Sequence, residues 1–142
     1  MDIVQEIKAL EFPLGKYVVV GSGVLEVNSI RKARDIDIVV TPDLYEKCES
    51  GGWEKQWHDT GQRYVLHKRD RGREVEVYLD VNCDDVQLIT EELIERADVI
   101  EGVPFVSLKD LLKLKRAYSK YRDKHLSDIE GIEEKLGYSK KP

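Results

Sequence analysis

The chain has 142 residues, 41% of them hydrophobic and 36% charged, with a formal net charge of −5. That length suits one domain, 1–142, large enough for a continuous core, and the composition excludes a disordered or fibrous chain. A negative balance excludes nonspecific nucleic-acid binding over the whole surface, and no run of about 18 apolar residues offers a membrane-spanning helix. Residues 2–11 place Ile3, Ile7 and Leu10 at helical spacing before Pro13 and Gly15, so a first amphipathic helix is expected there. The same opening, MDIVQEIKAL, lacks the basic start and apolar core of a secretory signal, and a soluble, cytoplasmic location is the expectation.

Lys16-Tyr-Val-Val-Val20 is a β-branched run stopped by Gly21-Ser22-Gly23, which reads as a buried strand entering a tight turn. Val24 to about Ile30 then reads as a short helix. Asp35-Ile-Asp-Ile-Val-Val40 alternates carboxylates with aliphatics before turning wholly apolar, as a strand does when it is solvated at its start and covered later. Thr41-Pro42 predicts a helix N-cap with proline at the first position, giving a helix over 42–49 that ends at Gly51-Gly52. Segments 53–58, 63–69 and 73–81 are strand-like, the last two joined as a hairpin through Asp70-Arg71-Gly72. Thr90 and Ser107 each precede a helical pattern, with Ser107 and Asp110 approximating a capping box. The helix after Ser107 is expected to be long, and a last one spans about 127–136 before Gly137.

Gly21-Ser22 ends one strand and Asp35-Ile-Asp37 begins another across a short connection, so the two can face one another. A turn without bulky side chains at a helix N-terminus presents N–H groups to an anion and suits a polyphosphate. Two carboxylates on alternate strand positions share a face, roughly 6.5–7 Å apart, and can converge on hard divalent cations. Magnesium takes few protein carboxylates and completes its shell with water and phosphate oxygens, which fits phosphate transfer better than a closed structural ion site. A third carboxylate would allow two metal ions about 3.5–4 Å apart. In Glu74-Val-Glu-Val-Tyr-Leu-Asp80 the candidates Glu74, Glu76 and Asp80 share one strand face with Tyr78.

Val20-Gly21-Ser22, Asp35-Ile36-Asp37 and Val75-Glu76-Val77, in that order, resemble the three signature segments of the nucleotidyltransferase superfamily. The resemblance covers about residues 16–80, and more weakly 102–129, where the chain is similar to minimal and toxin–antitoxin-type members. It implies an α+β fold, a mixed β-sheet flanked by α-helices, with a core over about 16–106 and C-terminal helices over 107–137 packed against it. It implies two magnesium ions held by Asp35, Asp37 and Glu76, and singles out Glu76 among the three acidic candidates. It implies transfer of a nucleoside monophosphate from an NTP to an acceptor that is left open: an RNA end, a protein or a small molecule. Arg31 matches a basic residue often found before the acidic strand, and Asp128 an aspartate that related C-terminal helices place near the active site. Ala33 departs from the family's frequent Ser or Thr.

Placed at helical steps after Ser107, the residues Lys109, Lys113, Arg116, Lys120 and Lys124 form a cationic stripe opposite Leu108, Leu111, Leu114, Tyr118 and Tyr121. Lys115 and Arg122 fall within the apolar arc, where a charge needs a partner such as a triphosphate or a site carboxylate. Cys48 and Cys83 lack CxxC spacing or a cysteine–histidine cluster, which argues against a zinc site or a disulfide framework. His58, His67 and His125 are scattered and read as surface or strand residues. Three rival readings share or contest these signals: a silent binding module such as an antitoxin component, a kinase-like toxin using the same site, and a dinucleotide-binding oxidoreductase. Glu26 stands where the last of these needs glycine. A homodimer or a toxin–antitoxin partner remains compatible with the sequence.

Overall fold

The computed structural model describes residues 2–59, 61–69, 72–83 and 85–138. Asp2 caps helix α1 (Ile3–Lys8): its carboxylate accepts the Gln5 N–H while the Gln5 side chain receives the Asp2 N–H. The helix is shorter than 2–11, because the chain turns after Lys8 and reaches positive φ at Glu11. Strand β1 (Tyr17–Val20) is buried throughout, and helix α2 (Ser22–Val27) starts two residues earlier than its apolar pattern indicates. Strand β2 (Ile36–Val40) leads into helix α3 (Pro42–Ser50), where the Thr41 hydroxyl donates to the Asp43 carboxylate instead of capping the backbone.

Strands β3 (Glu54–His58), β4 (Arg63–Lys68) and β5 (Val75–Tyr78) pair in antiparallel fashion, β3 with β4 and β4 with β5. Of the expected turn between the last two, Asp70 and Arg71 lie outside the described residues. Helix α4 (Thr90–Glu95) begins at Thr90 itself, whose hydroxyl donates to the Leu79 carbonyl rather than capping. Two strands unforeseen in the sequence follow, β6 (Asp98–Ile100) and β7 (Val103–Phe105), and then helices α5 (Leu108–Tyr118) and α6 (His125–Lys135). The seven strands form one mixed sheet in the order β3-β4-β5-β2-β1-β7-β6, with β2–β5 and β1–β7 parallel and the other pairs antiparallel. This is an α+β fold with helices around a mixed sheet, and its buried cluster draws on residues from Ile3 to Ile132. Among the described residues no helix is long and apolar enough to cross a membrane.

The helix after Ser107 is not one long element. Ser107 caps it, accepting the Asp110 N–H, but α5 stops at Tyr118, whose hydroxyl donates to the Val81 carbonyl. Residues 119–124 offer Tyr121 as their one apolar side chain, so a continued helix would bury little, whereas folding back on α5 buries Ile132 completely. Such a side chain contributes about 1.5–3 kcal/mol on burial. Lys120 and Lys124 therefore leave the expected stripe, and only Lys109, Lys113 and Arg116 remain as an exposed row on α5.

One ionic knot fixes the segment that enters β2. Arg73 donates to the carboxylates of Glu6 on α1 and Glu26 on α2 and to the Ala33 carbonyl, and Glu26 also accepts the Ala33 N–H. Ala33 is buried inside this knot, which accounts for an alanine there in packing terms. The chain is thereby held rigid two residues before Asp35.

Candidate active site

Sheet register sets three carboxylates and an imidazole side by side. Val20 on β1 pairs with Asp37 on β2, Asp37 with Glu76 on β5, and Glu76 with His67 on β4, so Asp37, Glu76 and His67 form one row on one face. Asp35 precedes Asp37 by two positions and stands on the same face. The Oδ1 atom of Asp37 is shielded from solvent and has no hydrogen-bond partner among the described residues. Burial, then the charge of Glu76, pushes the Asp37 carboxyl well above the usual carboxylate range, and burial with Glu76 and Glu74 raises Asp35. The Tyr78 hydroxyl donates to Oε2 of Glu76, and burial among these acids keeps that phenol protonated. Crowded, underpaired oxygens of this kind fit a hard divalent cation, which would supply the missing positive charge.

Gly21 closes the site from the β1 side. Its φ is +65°, and a Cβ on it would stand 2.8 Å from Oδ2 of Asp37. Glycine is therefore required twice, by backbone conformation and by the approach of the carboxylate. α2 starts at the next residue, and its first turn closes with the Val24 N–H donating to the Gly21 carbonyl, so the N–H groups of Ser22 and Gly23 precede the first helical bond beside Asp37. Gly21→Ala is expected to cost about 1–3 kcal/mol of backbone strain and to push Asp37 aside. Thermal melting together with titration of magnesium and a nonhydrolysable NTP checks it: a lower Tm and weakened binding are expected, and unchanged binding counts against the turn.

The opposite wall is cationic and comes from the helices. Lys115 on α5 is buried; its Nζ donates to Oδ2 of Asp128 at 3.0 Å and lies 3.2 Å from Nδ1 of His125. Asp128 on α6 is also clasped by Arg31, at 2.6 Å from Nε and 2.9 Å from Nη2. Burial lowers Lys115. Burial opposes ionisation of Asp128 too, but the Arg31 hydrogen bonds and the Lys115 charge outweigh it and hold the carboxyl below its usual range. His125 is pushed down to about 4 by burial and by the charges of Lys115 and Lys124, so it is neutral at pH 7. α6 approaches the Arg31 loop so closely that a Cβ on Gly131 would come within 2.6 Å of Ile30.

Between these walls lies a cleft of about 370 Å³. Gly21, Ser22, Arg31, Asp35, Asp37, Glu76, Lys115 and Arg122 all line it. Asp128 does not; it stands behind Arg31 and Lys115 and holds them. Arg122 reaches the cleft from the exposed 119–124 turn, not from the apolar face of a helix. Asp80 leaves the row to pair with Arg63, and Glu74 turns to His67. Tyr78, Arg34, Arg63 and His58 also line the cleft and were not singled out from the sequence. For Tyr78 the i, i+2 spacing from Glu76 on a strand was an available signal. His58 and His67 are strand residues as expected, but they are not apart from each other: their Nε2 atoms lie 2.9 Å apart, while His125 sits on α6.

The fold that carries this cleft is the nucleotidyltransferase fold. A crystal structure of ANT(2")-Ia in complex with adenylyl-2"-tobramycin is similar to it with a TM-score of 0.56, covering 96% of this chain and 86% of that one. Sequence identity is 16%, so the likeness establishes the fold. No family model matches the chain, and no curated protein matches it in sequence.

Proposed function

We propose that the chain is a magnesium-dependent nucleotidyltransferase that moves a nucleoside monophosphate from an NTP to a hydroxyl or similar nucleophile. The observation that carries this reading is the shielded, unpartnered Oδ1 of Asp37, set beside Asp35 and Glu76 and pressed against the Gly21 turn. All three acids offer oxygen donors, which suits two magnesium ions. When bound, those ions neutralise the triphosphate and favour ionisation of the attacking hydroxyl.

The chain's own residues divide the remaining work. The N–H groups of Ser22 and Gly23 take phosphate oxygens, and Lys115, fixed by Asp128, supplies a positive charge from the facing wall. Glu76, oriented by the Tyr78 hydroxyl, is placed to accept the proton of the attacking group. Leu111, Leu114 and Tyr118 of α5 form the apolar side of the cleft and limit water there.

Of the cations lining the cleft, Arg31 and Lys115 share Asp128 and Arg63 pairs with Asp80, while the exposed Arg34, Arg122 and Lys124 add positive charge at its rim. That balance supports an anionic or neutral acceptor, an RNA end or a protein, over a polycationic antibiotic of the kind bound to ANT(2")-Ia. The test is incubation with magnesium and each NTP labelled separately at the α- and γ-phosphates, with RNA, protein and aminoglycoside acceptors. Transfer of the α-label is expected. Transfer of the γ-label marks a kinase-like toxin, and transfer of neither, with tight partner binding, marks a silent module such as an antitoxin component.

A further inference from the structure

We propose that His58, His67 and Glu76 form a zinc site on the flank of the cleft, distinct from the Asp35–Asp37 pair and sharing Glu76 with it. One ligand atom from each of the three residues falls within 4.8 Å of the other two. The two Nε2 atoms face each other at 2.9 Å, and Nδ1 of His67 lies 2.7 Å from Oε1 of Glu74 and 3.5 Å from Oε1 of Glu76. Glu74 keeps the His67 proton on Nδ1, so Nε2 presents its lone pair toward His58. A carboxylate behind a ligating imidazole, fixing its tautomer and raising its basicity, is the usual support of a metal-bound histidine. His67 is buried and cannot turn to water for an alternative partner.

Zinc bonds imidazole nitrogen and carboxylate oxygen at about 2.0–2.2 Å in tetrahedral geometry, which puts neighbouring ligand atoms about 3.3 Å apart. Opening the two rings by a few tenths of an ångström provides that spacing between the imidazoles. Glu76, which stands within 4.8 Å of them, closes on the ion by a side-chain shift of up to about 1.5 Å, and the cleft supplies room for a water as the fourth ligand. Two imidazoles and one carboxylate discriminate against magnesium, which demands oxygen donors and an octahedron. The isolated cysteines argued against a zinc site; the donors here are the two histidines, separated by eight intervening residues and joined by the β3–β4 hairpin.

Because Glu76 belongs to both constellations, zinc would withdraw it from the proposed transfer reaction and inhibit; this consequence rests on the proposed function, whereas zinc binding itself does not. The experiment titrates the chelator-treated full-length chain with cobalt as a spectroscopic stand-in, with magnesium in excess. One cobalt per chain is expected, with the intense visible band of a tetrahedral site, displaced by one equivalent of zinc. His58→Ala should abolish the band, Glu74→Ala should weaken cobalt binding about 10–100-fold, and Asp37→Asn should retain it. His58→Gln, compared by melting temperature with the parent chain, guards against loss through misfolding. A spectrum no stronger than aqueous cobalt, or equal affinity in the parent, His58→Ala and His58→Gln chains, overturns the site. A cobalt band in a chain that transfers no nucleotide when it holds magnesium alone leaves the zinc site standing and removes the transfer reading; transfer with magnesium alone and no band on adding cobalt does the reverse.

Discussion

Asp37→Asn is expected to remove nucleotide transfer and, in the absence of metal, to raise the melting temperature. The carboxylate has one oxygen shielded and unpartnered, with Glu76 directly opposite and Asp35 two residues away. An unsatisfied buried polar atom costs about 1–3 kcal/mol, and the amide removes the charge that makes this one worse. At this chain length each kcal/mol is worth about 2–4 °C in Tm. Transfer should fall at least about 10³-fold, the scale at which losing a principal charge-handling group acts in phosphoryl transfer. A variant that gains stability while losing function is the mark of a site strained for its task.

The pH dependence follows from the same raised acids. A carboxyl whose folded pKa lies above its unfolded value holds its proton longer in the native state, so the native state binds more protons and stability falls as pH rises through that window. The contribution of Asp37 to metal-free stability should therefore fall as pH rises above the usual carboxylate range until Asp37 is ionised, and magnesium should restore more Tm at pH 8 than at pH 5. Melting the parent chain and Asp37→Asn across that range, with magnesium or with chelator, checks both effects. A flat difference between the two chains contradicts the account.

Asp128→Ala is expected to damage fold and site together. Asp128 and Lys115 are both buried, and Arg31 adds a bidentate clasp to the same carboxylate. Removing one partner of a buried pair costs about 3–5 kcal/mol, because the other charge is left in low dielectric. Lys115 would then shed its proton or move, and Arg31 would swing free of α6. Lys115→Met/Asp128→Leu, which removes both buried charges, should recover much of the Tm without recovering transfer, since Lys115 is the cation that faces the carboxylates. Recovery of both would mean the knot serves only the fold.

The centre of the sheet and the acidic wall of the candidate site were legible because local pattern and tertiary position coincide there. Val18–Val20 ends at a glycine whose φ leaves no alternative, and Asp35 and Asp37 alternate with Ile36 and Ile38, which are fully buried. β6 and β7 were not legible: three residues each, one containing Pro104, they form a short hairpin that joins the sheet through a pairing distant in sequence, Val19 opposite Phe105. The break at 119–124 carries neither glycine nor proline, so only the antiparallel packing of α6 on α5 reveals it, and with it the meeting of Lys115 and Asp128. His58 and His67 stand opposite Arg63 and Glu54, four pairs apart in the β3–β4 ladder, so their imidazoles meet by the reach of the side chains along one sheet face, which their spacing does not encode. The knot of Arg73 with Glu6 and Glu26 likewise joins residues up to 67 positions apart.

Diffraction from crystals grown with manganese and a nonhydrolysable NTP analogue measures the central claim directly. Anomalous peaks should lie about 2 Å from the carboxylate oxygens of Asp35 and Asp37, with the triphosphate against Gly21-Ser22 and Lys115. Nucleotide bound elsewhere, or an Asp35–Asp37 pair free of manganese at saturating concentration, would contradict it.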